Sequence, residues 1–181
     1  MRAQFTFHPH LCLGCGACVM ACIEENQIDI DRQQPYKLLK KNEYENEAGE
    51  LLDVVYFTHG CMHCPQHPCV SACPKGCFSV DDETGTIQLN SAGCIGCQRC
   101  HRVCSFDAIQ FLKKRAVKCN GCQHRLAENL PPLCVQACPV RALTIDEKNR
   151  VVSNGLKELA EELEEFHQRQ SGTSSRISTA K

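Results

Sequence analysis

Hydrophobic positions along this chain come in short bursts rather than long periodic stretches. "QFTF" (4–7) predicts a strand, and "LLDVVYF" (51–57) predicts another. "FSVDDETGTIQLN" (78–90) predicts a hairpin with "DDETG" as its turn, "AIQFL" (108–112) a further strand, and "ALTIDEKNRVV" (142–152) a second hairpin. Residues 24–50 are polar and mixed in charge, the pattern of a surface insertion. A helical period emerges only near the C-terminus. There Leu156, Leu159, Leu163 and Phe166 recur at helical spacing, with Ser153 or Asn154 as cap. This helix is expected over 153–170. Its apolar face is expected to pack on its own domain, with a partner-docking face as the alternative, and Glu161, Glu162, Glu164 and Glu165 form a solvated face. The tail 171–181, "SGTSSRISTAK", is expected to be disordered.

Such a pattern leaves little for a conventional core, and composition sharpens the point. The 181 residues contain no Trp and only ten Phe and Tyr, but 17 Cys. The chain must be cross-linked by disulfides or metal. The N-terminus "MRAQFTFHPHLC" has no basic start, apolar stretch or cleavage site, and no run approaches the roughly 20 apolar residues that span a bilayer. The expected location is therefore cytoplasmic, with periplasmic co-export alongside a partner as the alternative, and direct membrane insertion is not expected. In a reducing compartment dense cysteine reads as metal ligation. A net charge of −1 gives no footprint for nucleic acid.

The cysteines fall into four groups. Group one is Cys12, Cys15, Cys18 and Cys22. Group two is Cys61, Cys64, Cys69 and Cys73, with Cys77 trailing. Group three is Cys94, Cys97, Cys100 and Cys104, and group four is Cys119, Cys122, Cys134 and Cys138. Groups one and three repeat the spacing CxxCxxCxxxC, as "CLGCGACVMAC" and "CIGCQRCHRVC". A structural zinc usually takes four ligands from two short Cys hooks. Three thiolates on one tight loop suit a larger object, because a cubane cluster presents three corners to a loop curling around it. In two-cluster ferredoxins such a run gives three ligands to one cluster and its fourth Cys to another, so Cys22 is expected to leave Cys12, Cys15 and Cys18 for a different centre. Gly14, Gly16 and Gly96 sit between ligands, where backbone must come close to sulfur. Pro74 and Pro139 follow the last Cys of groups two and four, while Ile23 and Ser105 stand at that place in groups one and three. Four runs imply four [4Fe–4S] clusters.

At this point the motifs resemble a known family. "CLGCGACVMAC", "CMHCPQHPCVSACP", "CIGCQRCHRVC" and "KCNGCQHRLAENLPPLCVQACPVRAL" are similar to the four-cluster, ferredoxin-like electron-transfer subunits of molybdenum or tungsten bis-pterin oxidoreductases, of the dimethyl sulfoxide reductase B-subunit type. The likeness covers about residues 5 to 145. It implies an α+β fold of two dicluster lobes, one inserted in the other: an outer lobe of 1–56 and 113–152 and an inner lobe of 57–112. It also implies nested ligation. One cluster would take Cys12, Cys15, Cys18 and Cys138, a second Cys119, Cys122, Cys134 and Cys22. A third would take Cys61, Cys64, Cys69 and Cys104, and a fourth Cys94, Cys97, Cys100 and Cys73. In the family the first lies nearest the catalytic subunit, and the second is expected to be the far end of the row. The partner implied is a Mo/W-pterin catalytic subunit, with a further redox subunit or membrane anchor beyond it. Alternatives in the same class are a subunit of a tungsten aldehyde oxidoreductase, of a hydrogenase–formate dehydrogenase assembly that is in some cases filamentous, or a free-standing polyferredoxin. No catalytic residue is expected. The CxxxCxxC spacing of radical enzymes is absent, since Glu25, Gly76, Asp107 and Arg141 stand where its third Cys would be.

Three features stand outside the ligand sets. Cys77 is read as a small buried hydrophobe beside a cluster, with a stand-in ligand or redox-sensitive thiol as the sharper alternative. Ser105, in place of proline, is expected to loosen the exit of group three. "KKRAVK" (113–118) is either a set of cations that favour a reduced cluster or a solvated face, with Lys118 adjoining Cys119. His63, His67, His101 and His124 are expected to be donors near clusters or surface residues rather than ligands.

Overall fold

The architecture is that of a computed structural model and describes residues 4–146 together with Glu165 and residues 176–177. It is built from small antiparallel pairs and very short helices. Strand β1 (Gln4–Phe7) pairs with β8 (Leu143–Asp146), Phe5 opposite Ile145 and Phe7 opposite Leu143. The two ends of the described core are thereby tied together. Strands β4 (Phe78–Val80) and β5 (Ile87–Leu89) form the predicted hairpin around residues 81–86. The second predicted hairpin is only half described. Residues 143–146 pair with β1 instead, and residues 147–152 lie outside the described residues.

Residues 26–36 are exposed or half-buried turns, as expected, but the rest of 24–50 is more ordered than a surface insertion. Strand β2 (Lys37–Glu45) runs nine residues against β3 (Leu51–Gly60), turning at Asn46, whose side-chain oxygen accepts from the N–H groups of Ala48 and Glu50. The polar sequence hid the strand because its buried positions are occupied by Lys37 and Tyr44 rather than by aliphatic residues. The base of this hairpin, Phe57 to Gly60, is buried, while Leu51 and Leu52 at the tip are exposed. Strand β9 (Arg176–Ile177), within the tail expected to be disordered, pairs with Tyr44 and Glu45 of β2. The C-terminal helix expected over 153–170 lies outside the described residues apart from Glu165, which is helical and exposed.

The basic run "KKRAVK" is a hairpin. Strand β6 (Gln110–Leu112) pairs with β7 (Arg115–Val117) through a two-residue turn in which Lys113 and Lys114 both have positive φ, the geometry that matches strand twist. The expected lobe boundaries at 56/57 and 112/113 fall inside β3 and inside this hairpin.

Helix α1 (Ala17–Glu25) is the longest helix among the described residues, and it starts at Gly16, whose φ of 74° turns the chain from loop to helix. Helices α2 (Pro68–Ser71), α3 (Arg99–Arg102), α4 (Gln123–Ala127) and α5 (Leu133–Gln136) are one turn or little more. Two small cores result. Phe5, Met62, Phe106, Leu126 and Leu143 form one, while Phe78, Ile87, Ile109 and Ala116 form the other, and cysteines are built into both.

Candidate metal centres

All four cysteine loops use one local design. The residue before the second Cys has a left-handed backbone each time: Gly14 (φ 67°), His63 (φ 50°), Gly96 (φ 70°) and Gly121 (φ 74°). This curls three thiols around a common point. At the exit of groups two, three and four the chain makes one repeated turn. Gly76 (φ 58°), Asp107 (φ 49°) and Arg141 (φ 53°) are left-handed, and their N–H groups donate to the carbonyls of Cys73, Cys104 and Cys138. The next residue is buried in each case: Cys77, Ala108 and Ala142. Ser105 therefore does not loosen its exit, because the turn it begins matches those begun by Pro74 and Pro139.

The folding brings thiols of different groups together around three hollows and into one further cluster. At the first site Cys12, Cys15, Cys18 and Cys138 line a hollow of about 340 Å³ with Phe7 and Leu143. At the second, Cys22, Cys119, Cys122 and Cys134 line one of about 360 Å³ with Lys37 and Phe5. At the third, Cys61 lies close enough to Cys64, Cys69 and Cys104 to raise the proton affinity of all three. At the fourth, Cys73, Cys94, Cys97 and Cys100 line a hollow of about 310 Å³ with Phe78 and Phe111. Each set takes three thiols from one group and one from another. Among the described residues no three His, Cys, Asp or Glu side chains converge closely enough to hold a single metal ion. The thiols stand around a space, a donor set whose chemistry and spacing fit a cluster.

Helix geometry explains the exchange. Cys18 and Cys22 are four residues apart on α1, roughly 6 Å along its axis, and Cys134 and Cys138 are four apart along α5 and its exit. The two helices pack together, so the first and second sites flank one helix pair. Helices α2 and α3 pack likewise, carrying Cys69 and Cys100, with Cys73 and Cys104 just past their ends, between the third and fourth sites. The second site borders the third. Its hollow is also lined by Cys61, a member of the third.

The environment of the sulfurs is apolar with a few directed donors. Burial pushes the thiols of Cys22, Cys69 and Cys134 up to about 12, and that of Cys64 up to about 11. Cys61 goes the other way. Burial opposes its ionisation, but the His63 ring and the Lys118 ammonium facing it bring it down to about 5. Backbone N–H groups point at four sulfurs: Gly121 at Cys119 (3.2 Å), Cys77 at Cys73 (3.3 Å), Ala116 at Cys94 (3.3 Å) and Ala108 at Cys104 (3.4 Å).

Two buried cations accompany these sites. Lys118, marked in the sequence by its place beside Cys119, turns inward and bonds the carbonyls of Ile87 and Cys119, while Lys113, Lys114 and Arg115 are exposed. Lys37, only 5% exposed, escapes sequence reasoning. Its ammonium lies 6.0 Å from the Phe5 ring centroid, and its charge favours the thiolates of Cys22 and Cys134. No motif marks it, since it lies in a polar stretch far from every cysteine group. The histidines divide. His124 pairs with Glu25 at 2.6 Å and His101 contacts the Ile109 carbonyl at 3.1 Å and Asp107 at 3.2 Å, both partly exposed, whereas His63 is buried. Cys77 is packed with Phe78 and Ile87 and also lines the fourth hollow.

Comparison with known proteins accords with this geometry. Two family models, each described as a 4Fe-4S dicluster domain, match residues 11–77 and 52–148. The chain belongs to the 4Fe-4S dicluster family. It is an iron–sulfur electron-transfer protein, a non-catalytic component of an oxidoreductase. Among relatives of this dicluster protein, the NrfC homolog of Haemophilus influenzae is 37% identical over 160 residues, covering 81% of this chain and 67% of its own. The B subunit of the anaerobic dimethyl sulfoxide reductase from the same organism is 31% identical, covering 77% of this chain and 71% of its own. The thiosulfate reductase electron transfer subunit PhsB of Salmonella typhi is 36% identical, covering 73% and 69%. No helix among the described residues is long and apolar enough to cross a membrane.

Proposed function

We propose that this dicluster protein holds four [4Fe–4S] clusters in crossed sets and conducts electrons singly to or from a separate Mo/W-pterin catalytic subunit. The observation that supports the reading is that three hollows lined by three thiols of one group also take in the last thiol of another. A bound [4Fe–4S] cluster takes up and gives back one electron with its potential set by charge, hydrogen bonds and burial. The residues of the chain do the rest. Sixteen thiolates fix four positions, the surrounding Phe and Leu side chains exclude water, and Lys37 and Lys118 favour added negative charge near the second and third sites.

The shared helix pairs and the contact of Cys61 with the second hollow support a row in the order first, second, third, fourth. Leu13 and Ile95, 65% and 61% exposed, lie beside the outer two. The pairing of β1 with β8, which encloses the three hairpins between them, supports an inner lobe inserted in an outer one. The catalytic subunit, its metal and any further redox subunit or anchor follow from the likeness to reductase subunits, and the companion decides between cytoplasm and co-export. Copurification with metal analysis tests the partner. Ligation is tested by Cys104→Ser. Spectroscopy of the anaerobically purified protein should show a perturbed centre at Cys61, Cys64 and Cys69, with the one at Cys94, Cys97 and Cys100 intact. The opposite result, or far less iron than the roughly sixteen atoms four cubanes require, overturns the reading.

A further inference from the structure

One histidine stands where the second and third sites meet. Three of the four cysteine loops place glycine at the left-handed position before the second Cys, and the fourth places His63 there at φ 50°. A left-handed backbone is unfavourable for a residue with a Cβ unless its surroundings hold it. Those surroundings are specific. His63 is 4% exposed and stacks on Phe5 with ring centroids 5.5 Å apart. Its Nδ1 accepts the N–H of Ile87 at 2.8 Å, so the ring proton resides on Nε2. Nε2 is buried and has no hydrogen-bond partner among the described residues. The thiols of Cys61 at the third site and Cys119 at the second lie near the ring. Gly121, between Cys119 and Cys122, makes room for the ring: a Cβ there would sit 3.2 Å from Nε2 and 2.6 Å from the Thr86 methyl. Two loops 58 residues apart therefore interlock around one imidazole, with Lys118 tied to the carbonyl of the same Ile87 whose N–H orients the ring.

We propose that His63 is a shared positioning residue for the second and third centres, its Nε2–H donating into the Cys61 and Cys119 sulfurs so that one side chain sets the potentials of both. This rests on the four-cluster reading. A donor to a ligand sulfur stabilises the more negative, reduced state, so it raises the potential of the centre that sulfur binds. The ring keeps its proton throughout, and no bond to it forms or breaks as an electron passes from one centre to the next.

The test is His63→Gly in the anaerobically purified, iron-loaded full chain, followed by EPR-monitored redox titration. Glycine is the residue the three sister loops carry, so the backbone is relieved while the donor is lost. The expected result is unchanged iron content with two of four centres, those perturbed by Cys61→Ser and Cys119→Ser, both shifted to lower potential. His63→Asn, which tolerates the left-handed backbone and retains an N–H, should move them less. Unchanged potentials, a shift confined to one centre, or iron loss in both variants overturns the proposal. A wild-type chain without four centres overturns the four-cluster reading instead, whatever the variants do.

Discussion

Position by position, the repeated loop tells what each side chain is asked to do. Cys77 has two counterparts in the chain, Ala108 and Ala142, each following a left-handed residue at a group exit and each buried. A place that Ala fills twice requires a small apolar body rather than a sulfur. Cys77→Ala should leave iron at about sixteen atoms per chain and cost no more than about 1 kcal/mol of stability, checked by iron assay and thermal melting. Gly96 is more demanding. A Cβ there would lie 2.4 Å from the Lys114 carbonyl oxygen, and its φ is already left-handed. Gly96→Ala is expected to destabilise the chain by roughly 1–3 kcal/mol and to lower iron retention at Cys94, Cys97 and Cys100, seen as a lower melting temperature and a diminished spectroscopic signal.

Elements here matter mainly as spacers between sites. Helix α1 carries Cys18 towards the first hollow and Cys22 towards the second, and α5 with its exit does the same with Cys138 and Cys134. On this geometry Cys22→Ser should disturb the centre at Cys119, Cys122 and Cys134 while the one at Cys12 and Cys15 persists, as read by EPR. The strands were unevenly legible. β1, β3 and the β4–β5 hairpin follow from apolar bursts bounded by turn residues, because each buries its own aliphatic or aromatic side chains. β2 was not legible, because its buried side chains are a lysine and a tyrosine, and the burial of Lys37 depends on thiols and Phe5 brought from elsewhere.

At the level of the whole molecule, three hollows ringed by thiols occupy space that an ordinary domain fills with side chains. Removing iron should therefore lower the melting temperature sharply, since ligand binding free energy is folding free energy in such sites. The metal-free chain should also be alkali-sensitive. Cys22, Cys69 and Cys134 hold their protons to about 12 when folded, against 9.0 as ordinary thiols. A raised value in the folded state stabilises it fully below pH 9, and that contribution is lost as pH rises towards 12. Melting of the metal-free protein across pH 9 to 12 should show a progressive fall from these thiols.

The order of residues was enough to determine that there are four cysteine groups, that they are built for clusters rather than single ions, and where most short strands lie. These are local matters: ligand spacing, turn chemistry and apolar bursts act within a dozen residues. Only the tertiary structure decided that Cys61 reaches the hollow of Cys22, Cys119, Cys122 and Cys134, that Lys37 and Lys118 are buried, and that His63 lies near Cys119 across 56 positions of chain. Each of these depends on which loop packs against which, and packing between distant segments leaves no periodic trace in either segment alone.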